Sequence, residues 1–239
     1  MPRPTACISM VMYSGTPAEK HDMTSVHATE PIQLGSLALP GDLVIPEGAH
    51  GLVVFVHGSG SGRTSPRNRQ VARALQQHRL ATLLLDLLTE EEAQDRHKVF
   101  DIPLLSQRVQ EAMHWTRHHP DLSRCPLGLF GASTGAAAAL VAAAQQPDQV
   151  AAVVSRGGRP DLASGILGRV QAPTLLIVGG LDTEVLVLNQ QALRQLRGPK
   201  RLEVVPGAGH LFEEPGALST VAAFAAHWYQ QHLTIKRPA

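Results

Sequence analysis

Four runs, at residues 51–56, 81–85, 127–130 and 174–178, are apolar at nearly every position. A strand without polar alternation has no face to offer water, so each must be covered on both sides. Strands of that kind form the centre of a parallel sheet with helices above and below. The stretches between the runs alternate with helical patterns and are punctuated by Gly, Pro or Asp. These constraints predict one α/β domain on a mainly parallel sheet with helices on both faces. Further strands are predicted at 32–39, 42–45, 150–155 and 201–205, the first two meeting at Pro40-Gly41 in an antiparallel hairpin at the sheet edge. Helices are predicted at 66–78, 103–118, 134–146, 188–197 and 215–232, with Pro66, Pro103 and Pro215 where a first-turn proline is tolerated. The helix from Thr134 is almost all alanine, small enough to lie close against the sheet. Residues 1–30 are expected to be a poorly packed leader to the domain at 31–239.

Composition narrows the function classes. Among 239 residues, 44% are hydrophobic and 17% charged, enough apolar material for a sizeable core and too little charge for a disordered chain. With 21 Lys and Arg against 20 Asp and Glu, the net charge is +1, and no global field draws the chain to nucleic acid or to an acidic membrane. Cys7 and Cys125 support neither a disulfide framework nor a cysteine metal site, so a reducing, cytoplasmic compartment is expected. No apolar stretch approaches the roughly 20 residues that span a bilayer. No cofactor and no metal are expected. The oligomeric state is left open.

The strongest chemical signal is Gly131-Ala132-Ser133-Thr134-Gly135, a G-x-S-x-G string between an apolar strand and the alanine helix. A serine on so sharp a strand-to-helix turn needs small residues two positions either side, where a side chain would collide with neighbouring backbone. Asp182 lies just past the run at 174–178, and His210 follows the strand at 201–205 on a small-residue loop. All three fall at the carboxyl edge of the sheet, where α/β sites are built. The order Ser133, Asp182, His210 is that of a hydrolase triad: Ser133 as nucleophile, His210 as general base and then acid, Asp182 orienting the imidazole. The glycine-rich string from His57 to Gly62 follows another central strand, and the oxyanion hole is assigned to the N–H groups of Ser59 and Thr134. That string lacks the spacing of nucleotide loops.

Arg63, Arg67 and Arg69 follow this loop, and Arg156 and Arg159 follow the strand at 150–155. Arg63, Arg67, Arg156 and Arg159 are candidates to hold a carboxylate or phosphate on the substrate; pairing with carboxylates such as Glu90, Asp95 or Asp161 is the alternative. Only eighteen residues separate Ser155 from Thr174, too few for a large helical lid, so an open site for small or soluble esters is expected.

From about Leu43 to Leu233 the chain resembles the single-domain α/β-hydrolases of the dienelactone hydrolase type. The resemblance rests on the string from Phe55 to Ser61 with Ser65-Pro66-Arg67-Asn68, on Gly131 to Gly135, on Ser155-Arg156-Gly157-Gly158-Arg159-Pro160-Asp161, on Val178 to Asp182, and on His210-Leu211-Phe212-Glu213. The chain is also similar to hydrolase modules sometimes joined to a phosphoribosyltransferase domain. Dienelactone hydrolases carry cysteine where this chain has Ser133, which turns the expectation to a serine esterase acting on a small-molecule ester. A lactonase, thioesterase or peptidase with the same three residues, or a non-catalytic partner-binding module, is the alternative.

Overall fold

The computed structural model describes residues 28–234. The expected leader therefore lies outside the described residues, except for its last three. Eight strands form one sheet in the order β1-β2-β4-β3-β5-β6-β7-β8: β1 Glu30–Leu34, β2 Leu39–Val44, β3 Gly51–Val56, β4 Leu80–Leu85, β5 Leu127–Ala132, β6 Ala152–Arg156, β7 Thr174–Gly179 and β8 Lys200–Val205. β1 and β2 pair antiparallel, β2 joins β4 antiparallel, and every other pairing is parallel. The helices are α1 Pro66–Gln77, α2 Arg96–Val99, α3 Ile102–His118, α4 Thr134–Gln145, α5 Thr183–Gln195 and α6 Ala217–His232.

Strand alternation divides the core into two layers. Leu52, Val54, Val56, Leu83, Leu129, Val153 and Leu176 face α3, α4 and α5. Val53, Phe55, Leu84, Phe130, Val154, Leu175 and Ile177 face α1 and α6. Each central strand thus contributes to both layers, which is why its sequence is apolar almost throughout. Ala136, Ala137, Ala138 and Ala139 are fully buried, and α4 uses these short side chains to lie close to the sheet. No helix among the described residues is long and apolar enough to cross a membrane.

The boundaries depart most from the sequence reading at the first hairpin and at α5, and α6 begins at Ala217, which leaves Pro215 ahead of its first turn. The hairpin turns at Gly35–Ala38, where Gly35 and Ala38 take φ of 63° and 49°, and Pro40-Gly41 lies inside β2. Proline has no N–H to give a ladder; Pro40 instead accepts through its carbonyl, from Asp86 N at 3.0 Å. Helix α5 begins at Thr183 rather than at Leu188. Its buried stripe runs Val185, Asn189, Ala192, and the polar Asn189 interrupts the apolar period. Its amide nitrogen is satisfied there, Nδ2 donating to Gly158 O at 3.0 Å and to Val185 O at 2.8 Å.

Tyr229 of α6 is fully buried and donates its hydroxyl to Leu129 O at 2.7 Å, under the strand that leads to Ser133. Gly128 makes room for the ring, since a Cβ there would sit 2.6 Å from Tyr229 Cε1. Tyr229→Phe removes one buried hydrogen bond and is expected to lower unfolding free energy by about 1–2 kcal/mol. Urea denaturation of the two proteins measures it; equal midpoints would show that the bond adds nothing.

Candidate active site

The G-x-S-x-G segment is held by steric limits on both sides. A Cβ on Gly135 would run into the carbonyl oxygens of Val56 and His57, and one on Gly131 would meet Ala136 backbone. Ser133 itself sits at φ 51°, ψ −122°, a backbone region that L residues rarely occupy. Its neighbours hold it there: Ser133 N donates to Arg156 O at 3.2 Å, and Arg159 N donates to Ser133 O at 3.1 Å. The segment at 156–159, singled out in the sequence for its arginines, thus clamps the serine through its backbone.

Asp182 occupies the position ahead of α5 where an aspartate ordinarily caps a helix, yet its side chain makes no capping bond. Its Oδ2 lies 2.6 Å from His210 Nδ1 instead. An ionised carboxylate only accepts, so this contact assigns the imidazole proton to Nδ1 and leaves the Nε2 lone pair free. The two loops are tied together below that contact. Gly180 N donates to Val205 O at 2.8 Å and Leu181 N to Ala208 O at 2.9 Å. A side chain on Gly179 would strike the carbonyls of Ala208 and Gly209. Beyond His210 the chain turns sharply, with Phe212 at φ 54° and its ring fully buried, while Glu214 Oε1 accepts from Gly209 N at 2.9 Å. Phe212 belongs to the string His210 to Glu213 that carries the resemblance, whereas Glu214 had no motif signal. His210 also approaches the serine clamp: a Cβ on Gly157 would lie 3.6 Å from His210 Cε1.

The N–H of Ser59, expected in the oxyanion hole, is already engaged in this structure. Ser59 N donates to Thr134 Oγ1 at 2.9 Å, because the residue after the serine carries a hydroxyl that reaches the glycine-rich loop first. Thr134 N, by contrast, opens α4, where first-turn N–H groups have no intrahelical acceptor and the helix dipole favours negative charge.

Three of the four candidate arginines are paired. Arg63 meets Asp42 at 3.0 Å and Asp86 at 3.3 Å, Arg67 meets Glu213 at 2.9 Å, and Arg159 holds Asp161 in a fork at 2.9 and 2.8 Å. Arg69 also takes Asp42, at 3.1 Å. Asp42, from the N-terminal hairpin, is a partner that sequence spacing gave no means of finding. Arg156 differs. It ends β6 on the face shared with Val154, it is buried, and its Nη1 has no hydrogen-bond partner among the described residues. Burial and the neighbouring Arg67 charge lower its pKa to about 10. Arg156 therefore retains its positive charge at neutral pH, with no carboxylate paired to it among the described residues.

A cavity of about 220 Å³ lies against the glycine-rich loop, lined by His57 to Ser61 together with Asp86, Leu88 and Leu105. The larger cleft, about 640 Å³ around Gln145, Arg169 and Arg197, opens at the opposite edge of the sheet and contains none of the motif residues. Among the described residues, no three His, Cys, Asp or Glu side chains cluster as a metal site requires.

A mainly parallel sheet with a serine elbow, an acid and a histidine at its carboxyl edge defines an α/β-hydrolase. The Dienelactone hydrolase family model matches residues 41–237, and the chain belongs to that family of hydrolases. It is 55% identical in sequence to a dienelactone hydrolase from Anabaena variabilis whose crystal structure superposes with a TM-score of 0.83, covering 87% of this chain and 98% of that one. A dienelactone hydrolase-like promiscuous phosphotriesterase from metagenomic libraries shares the fold at TM-score 0.71 and 18% identity, over 86% of this chain and 98% of that one. The chain is also 56% identical over 199 residues to a putative phosphoribosyl transferase from Mycobacterium tuberculosis; the match covers 83% of this chain but 45% of that relative's length.

His57 gives this edge a pH dependence. It is buried, its Nδ1 lies 2.9 Å from Gly58 O, and its Nε2 accepts from Leu87 N at 3.1 Å. Both nitrogens are thus used by the neutral ring, and burial lowers its pKa below the ordinary 6.5. The unfolded chain then binds the extra proton first, so this stabilisation is complete above about pH 6.5 and is lost as pH falls through the depressed folded value. Denaturation at pH 7.5 and 5.5 is expected to show a larger acid loss for the wild type than for His57→Gln. Identical losses would show that His57 does not carry the effect.

Proposed function

We propose that the chain is a serine hydrolase of small or soluble carboxylic esters, working through an acyl-serine intermediate. The observation that carries this reading is the 2.6 Å contact between Asp182 and His210, delivered to the sheet edge that holds Ser133 in its strained turn. Ser133 Oγ attacks the ester carbonyl carbon; as the new C–O bond forms, the π pair moves to the carbonyl oxygen and the serine proton passes to His210 Nε2. Asp182 stabilises the resulting imidazolium through Nδ1–H. Collapse of the intermediate breaks the bond to the alcohol oxygen, which leaves with the proton from His210. Water then repeats the sequence on the acyl-serine. Ser133 Oγ makes no hydrogen bond to His210 among the described residues, and such contacts tighten when substrate fills the site. The two turns between β6 and β7, Pro160–Ala163 and Leu167–Arg169, insert no large lid, in keeping with a soluble substrate.

Arg156 supports a preference for anionic esters. A buried guanidinium with an unpartnered nitrogen is costly unless something negative reaches it. Its place beside the Ser133 clamp puts that demand next to the reacting centre.

Hydrolysis of p-nitrophenyl acetate is expected from the wild type, with a loss on the order of 10⁴ to 10⁶ in Ser133→Ala. Equal release by both proteins would remove the acyl-serine mechanism, and a folded wild type without turnover would favour a partner-binding role. Arg156→Ala is expected to lower kcat/KM for a carboxylate-bearing ester about 10- to 100-fold relative to its neutral analogue. An unchanged ratio would assign Arg156 to structure alone.

A further inference from the structure

Ser59 and Thr134 come from different strand ends, one after β3 and one after β5, and meet through the 2.9 Å bond from Ser59 N to Thr134 Oγ1. An oxyanion accepting from Ser59 would need about 2.7–3.1 Å. The hydroxyl oxygen of Thr134 thus takes up the Ser59 N–H at the distance a reacting oxygen would need. A threonine hydroxyl accepts through two lone pairs and donates one hydrogen. Thr116, Thr174 and Thr220 each give that hydrogen to a backbone carbonyl. Thr134 Oγ1 receives from Ser59 and gives its hydrogen to no acceptor among the described residues. Its side chain is also fixed, with 3% of the residue exposed and a branched Cβ that restricts rotation at the helix start.

We infer that the Thr134 hydroxyl is an oxyanion donor, oriented by Ser59 N–H and acting beside the Thr134 N–H. This rests on the serine-hydrolase reading above. During acylation the Thr134 hydrogen stays on its own oxygen, so the only proton that moves is the one from Ser133 through His210 to the leaving group. The bond from Ser59 polarises the hydroxyl and strengthens its donation. Ser59 is then a positioning residue, and Thr134 touches the reacting oxygen twice, once through backbone and once through side chain. The rival arrangement, in which Thr134 Oγ1 merely blocks Ser59 N–H until it turns away, predicts the opposite sign on removing the hydroxyl.

The test separates kcat from KM on p-nitrophenyl acetate for Thr134→Val, Thr134→Ala and Thr134→Ser beside Ser133→Ala, with folding checked by thermal melting. Thr134→Val and Thr134→Ala are expected to lose about 10²-fold in kcat with little change in KM. Thr134→Ser keeps a hydroxyl and is expected to recover most of the rate. Should Thr134→Val fail to fold, the Ala and Ser variants decide. Thr134→Ala turning over as fast as the wild type or faster would overturn the inference, since a bare Ser59 N–H would then suffice. Equal loss in the Ser and Ala variants would overturn it too. A wild type without Ser133-dependent turnover removes the serine reading and this inference with it, an outcome that Ser133→Ala identifies separately.

Discussion

The close approach of the Ser133 turn to the end of β3 governs the organisation of this edge. Gly135 abuts the carbonyls of Val56 and His57, with no space for even a methyl group between them. That contact brings Thr134 to Ser59 and fixes the start of α4 beside the glycine-rich loop. It also requires a helix that opens on small side chains, which the fully buried Ala136 to Ala139 supply. The backbone strain at Ser133 is tolerated because hydrogen bonds from the 156–159 segment and the packing of α4 determine the turn from several sides at once.

Around this point the remaining groups are placed mainly by backbone. Asp182 and His210 ride on loops joined by Gly180 N and Leu181 N, so their contact follows from strand adjacency of β7 and β8 rather than from side-chain reach. Asp182 illustrates the trade: a residue that ordinarily caps its own helix leaves the cap unmade and turns to the imidazole. Phe212 and Glu214 hold the far side of the His210 loop, one by filling the α6 layer and one by accepting from Gly209.

The central strands were legible because burial on both faces removes nearly every polar residue from them, whereas a strand with one wet face alternates and a surface helix repeats every three to four residues. The serine turn was legible because its glycines answer a steric demand independent of distant sequence. The hairpin turn was not, since Pro40-Gly41 is a strong local turn signal and only the pairing of Pro40 with Gln33 and of Gly41 with Ile32 and Leu85 shows those residues to be strand. The start of α5 was hidden by Asn189, a buried polar residue whose acceptors lie partly on another segment. The engagement of Ser59 could not be read from its loop, because it depends on one hydroxyl seventy-five positions away. Ion-pair partners such as Asp42 are likewise long-range, and nothing in local composition marks them.

Asp42 gives the N-terminal hairpin a second meaning. Through it, β2 supplies the carboxylate that binds Arg63 and Arg69, two cations rooted beside the glycine-rich loop. The hairpin is therefore a counterion as well as an edge. A shortened relative lacking it would keep the parallel strands and the serine turn, yet Arg69 would lose its carboxylate and Arg63 would keep only Asp86. With the hairpin present, those two side chains already have a carboxylate, whereas Arg156 has none among the described residues.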